Sequence, residues 1–120
     1  MMIVRRCLHI IWSCRETGSL KFWAIENPMG LLRQFLGKPA FTFDPSEFGG
    51  DYNKTTDLWG YFKEPKLKRE YKRFASTDKN TRKLPLIPAE YKKDEHMSNL
   101  QIRRSITNEL FATAFFKANP

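Results

Sequence analysis

Along the first sixteen residues, apolar and polar positions recur with a helical period. Ile3, Cys7, Ile10, Ile11 and Cys14 stand three or four apart, with Arg5, Arg6, His9, Ser13 and Arg15 largely between them. That spacing predicts an amphipathic helix over 3–16, which Gly18 ends. The next run, LKFWAI at 20–25, is rich in strand-favouring residues and lacks polar alternation, which predicts a strand covered on both faces, as in a parallel sheet. After Pro28 and Gly30, Leu31, Leu32, Phe35 and Leu36 share one face of a second helix, closed by Gly37 and Pro39. AFTFDP at 40–45 alternates and predicts a strand followed by a turn at Asp44, Pro45 and Ser46; TTDLWGYF at 55–62 predicts another, interrupted at Gly60.

Periodicity then fades. From Lys63 to Asp94 charges dominate and Pro65, Pro85 and Pro88 punctuate the chain, which predicts a long basic loop. It returns in TNELFATAFFKAN, where Leu110, Phe111, Ala114 and Phe115 fall on one face, with Thr107 placed as N-cap and Lys117 in the last turn. Helices alternating with strands place the chain in the α/β class. No internal repeat is visible, and 120 residues suit a single domain spanning 1–120, able to bury about two-thirds of its unfolded surface.

Composition adds a field to this outline. The chain is 41% hydrophobic, with ten Phe, and so is a folding sequence, while its net charge is +8. Eleven Lys or Arg against four Asp or Glu lie between Lys63 and Lys93, so +7 of that charge sits in one segment. Such a field suits a phosphate backbone, and a solvated loop without a partner is the alternative. In KEPKLKREYKRF, residues 63–74, Lys66, Lys68, Arg69, Lys72 and Arg73 are interleaved with Tyr71 and Phe74, a mixture fit for phosphates and an unstacked base.

Cys7 and Cys14 lie two turns apart on the first helix, roughly 10 Å along its axis, too far for a disulfide. No CxxC pair is present and His9 and His96 are distant, so no metal site is expected. Arg5 and Arg6 interrupt the apolar start, which argues against a signal peptide or membrane span there and makes a cytoplasmic setting the expectation.

The chemistry concentrates at FWAIENPMG, residues 22–30, where an apolar run stops on Glu26, Asn27 and Pro28. Ligand sites of doubly wound folds collect at the carboxyl ends of strands, and a strand at 20–25 would put this polar pair there. The competing reading is local: Glu26 accepts backbone N–H groups of the following turn and Asn27 caps the helix at 31–36.

Four blocks in order, IENPMG, GKPAFTFDPSEFG, YNKTTDLWGYF and RSITNELFATAFFKANP, resemble the carboxy-terminal half of a family of phage and bacterial DNA methyltransferase-like proteins. That family is similar in turn to cytosine-C5 DNA methyltransferases. The resemblance implies an incomplete Rossmann-like methyltransferase domain acting on DNA with S-adenosylmethionine. It casts Glu26 as the acid holding a flipped cytosine, Asn27 as its positioning neighbour and Pro28 as the residue fixing the turn. EFGGDYNKT, residues 47–55, is similar to a stretch that supports the site and contacts the DNA backbone, with Lys54 in place of an arginine, Tyr52 in place of a glutamine and Thr56 in place of a second arginine; a strand-entry turn with an exposed lysine is the alternative. The family's glycine-containing cofactor loop, ribose-binding acid and proline-cysteine nucleophile loop have no counterpart here, and Cys7 and Cys14 read as helix-face residues. A separate amino-terminal half is therefore expected to supply them. The alternatives are a non-catalytic basic nucleic-acid-binding module, or a remnant of a mobile-element gene.

Overall fold

The computed structural model describes residues 2–74, 84–91 and 96–120. The parts of the expected basic loop at 75–83 and 92–94 lie outside them. In chain order the elements are α1 (Met2–Glu16), β1 (Trp23–Pro28), α2 (Leu32–Leu36), β2 (Phe41–Phe43), a 3₁₀ turn (Pro45–Phe48), β3 (Thr56–Tyr61), α3 (Asn99–Ser105) and α4 (Glu109–Ala118). Residues 63–74 and 84–91 carry no helix or strand.

The three strands form one mixed-length sheet in the order β1-β3-β2, and both pairings are antiparallel. This corrects the expectation of a parallel sheet. It also corrects the position of the first strand, which begins at Trp23 and runs on through Glu26, Asn27 and Pro28, opposite Leu58, Asp57 and Thr56. Local composition misplaced it because this strand is half-buried at the sheet edge, where polar residues are tolerated, and no residue of β1 is fully buried.

Gly60 is inside β3 and does not interrupt it. It pairs with Ala24 at φ +153°, and a Cβ there would stand 2.1 Å from the Trp23 carbonyl oxygen. Glycine is what lets β1 and β3 approach at that point.

One layer of aromatic side chains forms the core. Phe43, Phe48, Leu58 and Phe111 are buried together, with Phe41, Phe62, Ala114 and Phe115 packed against them. The Phe43 and Phe111 rings stack with centroids 3.9 Å apart, and Phe48 meets both edge-on. α4 is thereby fastened to the sheet by Phe111. The rest of its predicted face is less covered, with Leu110 43% exposed. α2 likewise buries only Leu32 of its three apolar residues, and α1 buries none fully.

The turn after β2 is organised by Asp44. Its carboxylate accepts from Ser46 N, Asn53 Nδ2 and Lys54 N at 2.9–3.0 Å, while Glu47 returns a carboxylate to Asp44 N at 2.9 Å. This reciprocal cap fixes Pro45–Phe48 and aims the chain toward Lys54. Beside it, Asp57 is closed off from solvent and held by Arg33 through two contacts of 2.7 and 2.8 Å and by Thr42 at 2.8 Å. The guanidinium holds the Asp57 carboxyl below the usual carboxylate range, against the opposing effect of burial.

The helix α3 is absent from the sequence reading. Ser98 and Gln101 form a capping box at its start, and only Ile102 is buried, so its seven residues carry no readable face.

Candidate functional site

The site grows from the edge of the sheet. Glu26 points from β1 to the segment that starts α4, and its Oε2 accepts from Thr107 Oγ1 at 2.8 Å. Thr107 is not the N-cap of α4. That role belongs to Asn108, whose Oδ1 accepts from Phe111 N at 2.9 Å. The threonine hydroxyl is left to meet Glu26, and the cap and the site contact come from adjacent residues.

Lys54 closes the other side. Its Nζ lies 3.9 Å from Glu26 Oε1 and donates to the Ile106 carbonyl at 3.4 Å. The expected exposed turn lysine is instead a nearly covered one, its side chain 12% exposed against 25% for Glu26. Burial pushes the Lys54 ammonium below the ordinary lysine range, and the charge of Glu26 works against that fall. The backbone N–H of Lys54 is the one held by Asp44, so the turn that opens this segment also sets where its cation stands.

Tyr52 is buried, near enough to Glu26 to feel its charge. Its hydroxyl accepts from Asn108 Nδ2 at 3.2 Å, which leaves its own proton available as a donor. Burial raises its pKa; the Asn108 hydrogen bond opposes the rise, and the charges of Glu26 and Asp44 add to it. Residues from β1, the loop before β3 and the start of α4 thus converge with a carboxylate, an ammonium, a phenol and an alcohol. The sequence signals Glu26 and Lys54; Tyr52, Thr107 and Asn108 were missed as members, and only the nearness of Thr107 and Asn108 to a helix start was legible.

Asn27 and Pro28 do not share this cluster by any hydrogen bond to it. The Asn27 amide donates to the Pro28 carbonyl at 3.2 Å and does not cap α2, whose cap position, Leu31, has no side-chain hydrogen bond. Both local readings of the polar pair are corrected, since Glu26 takes a distant hydroxyl and Asn27 stays within the strand.

The cations after β3 divide. Arg69 is exposed but bound, its guanidinium donating to the Ser46 and Gly50 carbonyls at 2.7 Å each. Lys66, Lys68, Lys72 and Arg73 are exposed, and the Lys72 Nζ lies 5.3 Å from the Phe74 ring centroid. Arg69 therefore fastens this strap by its two side-chain hydrogen bonds. Among the described residues no cluster of His, Cys, Asp and Glu could hold a metal ion, and no helix is long and apolar enough to cross a membrane. Both cysteines are free thiols on α1. No protein-family model matches the chain, and neither a curated protein nor a solved structure matches it.

Proposed function

We propose that this chain is the carboxy-terminal, DNA-engaging part of a DNA methyltransferase, in which Glu26 and Lys54 receive a nucleobase taken out of the duplex. The observation that carries the reading is their juxtaposition. A partly buried carboxylate 3.9 Å from a mostly buried ammonium offers an acceptor beside a donor, the complement of a base edge that carries an amino group next to a carbonyl or ring nitrogen. The resemblance of IENPMG and its three companion blocks to DNA methyltransferase-like proteins supplies the class, and cytosine is the base it favours. Thr107 orients the carboxylate, while Asn27 and Pro28 act through the strand that carries Glu26.

The finer Rossmann-like fold is part of this proposal. β1 and β2 both run antiparallel to β3 and so share a direction, an arrangement found where an antiparallel strand is inserted in a mostly parallel sheet. Among the described residues β1 is paired on one side only, so further strands can be added there.

S-adenosylmethionine does not fit the described residues of this chain. β1 leads into Met29, Gly30 and a five-residue helix without a side-chain cap, not into a glycine-rich loop opening a long helix, and the buried acids Asp44 and Asp57 are already engaged. The cofactor and the nucleophile would come from a separate amino-terminal half in the same cytoplasmic setting. Mixing the purified chain with such a half and a labelled methyl donor tests this: methylation of DNA that Glu26→Gln abolishes is expected, and methylation indifferent to Glu26, or none, overturns it.

The exposure of Lys66, Lys68, Lys72 and Arg73 favours one second reading, a basic module that holds nucleic acid without catalysis. It predicts salt-sensitive DNA affinity that survives Glu26→Gln with no preference for an unpaired base.

A further inference from the structure

Away from Glu26, the final helix and the strap at 64–68 enclose a groove of about 610 Å³. Leu110, Ala114, Lys117 and Ala118 form one wall at spacings of four, three and one along α4, and Leu67 with Lys66 and Lys68 forms the other. The leucines of the two walls are open to solvent, with Leu67 46% and Leu110 43% exposed. Such a volume lies within the range of built ligand clefts.

The strap is held in place, so the groove is preformed. Lys68 N and Arg69 N both donate to the Glu47 carbonyl, at 2.9 and 3.0 Å, Arg69 bonds two more carbonyls of the same turn, and Lys72 N donates to Ser46 Oγ at 3.1 Å. Around it stand Lys66, Lys68 and Lys117, against one acid, Glu64. None of the three lysines has an ion pair within the described residues.

We propose that this groove docks an acidic amphipathic peptide segment of a partner protein, its apolar side chains against Leu67, Leu110 and Ala114 and its carboxylates against the three lysines. The charge excess selects an anionic partner, and the aliphatic walls select leucine-like anchors at helical spacing. A nucleic-acid strand would meet the lysines but not the leucines. Among the described residues the one ring lining the groove is that of Phe48, which is 1% exposed and so offers a base no stacking surface. Ala114 and Ala118 leave room for a partner helix to approach closely.

The test is fluorescence anisotropy of the whole chain with a labelled peptide of about fifteen residues carrying leucines at helical spacing and glutamates elsewhere, beside a control with serines for leucines and the same charge. The leucine peptide should bind at least about tenfold tighter than the control, and Leu110→Glu or the triple change Lys66→Glu, Lys68→Glu and Lys117→Glu should each remove at least about tenfold. Amide shifts at Ala114 and Ala118 in the unaltered chain place the peptide without relying on any variant's folding. Equal binding of the two peptides, unchanged affinity in Leu110→Glu, shifts elsewhere, or full displacement by single-stranded oligothymidine of equal charge would overturn the proposal, the last in favour of nucleic acid.

Discussion

Thr107 Oγ1 donates to Glu26 Oε2 at 2.8 Å, across 81 positions of chain, and this bond joins the start of the final helix to the edge strand of the sheet. It is a hydrogen bond to a charged acceptor in a partly exposed place, so its net worth is modest. Thr107→Val, which keeps the shape and loses the hydroxyl, should lower stability by about 1 kcal/mol in urea denaturation, and Thr107→Ser by less than about half of that. A valine variant as stable as the unaltered protein would mean that the bond contributes nothing to stability.

Lys54 and Glu26 lean on each other electrostatically. Burial lowers the lysine pKa and Glu26 partly restores it, so Glu26→Gln should lower it further. For a lysine whose folded pKa lies below its unfolded one, the unfolded chain binds more protons between the two values. Stability should therefore rise with pH as the unfolded lysine range is approached, more steeply in Glu26→Gln. Titration of the Lys54 Cε signal by NMR reads the shift; an unchanged midpoint in Glu26→Gln would separate the two groups.

Asp57 should contribute to the fold's stability against acid. Its folded pKa is depressed, first by the hydrogen bonds from Arg33, so its contribution is complete above the unfolded carboxylate value and is lost as pH falls through the folded one. Asp57→Asn should weaken the protein by about 2 kcal/mol at neutral pH and flatten its loss of stability below about pH 4. Thermal melts of both proteins from neutral to acid pH measure this, and parallel curves would place the acid limit in other groups.

Gly60 should accept no side chain. Gly60→Ala drives a Cβ toward the Trp23 carbonyl at a backbone angle that L residues rarely adopt, and should cost at least about 3 kcal/mol by separating β1 from β3. Circular dichroism during urea titration would show it, and a loss below about 1 kcal/mol would mean that the strands can shift at that point.

How much of this was legible follows from which information each feature needs. α1 and α4 came through because helical period is local, and their ends fell within two residues of the expected ones. The sheet's antiparallel pairing did not, because TDLWGY names no partner: Glu26 faces Leu58 and Phe41 faces the same Leu58 from the other side. The site was half legible for the same reason. Glu26 is conspicuous as an acid after an apolar run, and Lys54 was marked by resemblance, but Tyr52 and Thr107 join them only through long-range folding. Arg69 looked like its neighbouring cations because a guanidinium gives no local sign that two carbonyls await it.

The central claim is that Glu26, beside Lys54, holds an unpaired base. Its most direct test is anisotropy at one fixed salt concentration with two labelled duplexes, one fully paired and one with a single unpaired cytosine, for the chain and its Glu26→Gln variant. The account predicts about tenfold tighter binding to the unpaired cytosine, falling to about twofold or less in the variant while affinity for the paired duplex is unchanged. Equal affinity for both duplexes, or a preference that Glu26→Gln leaves intact, would contradict it.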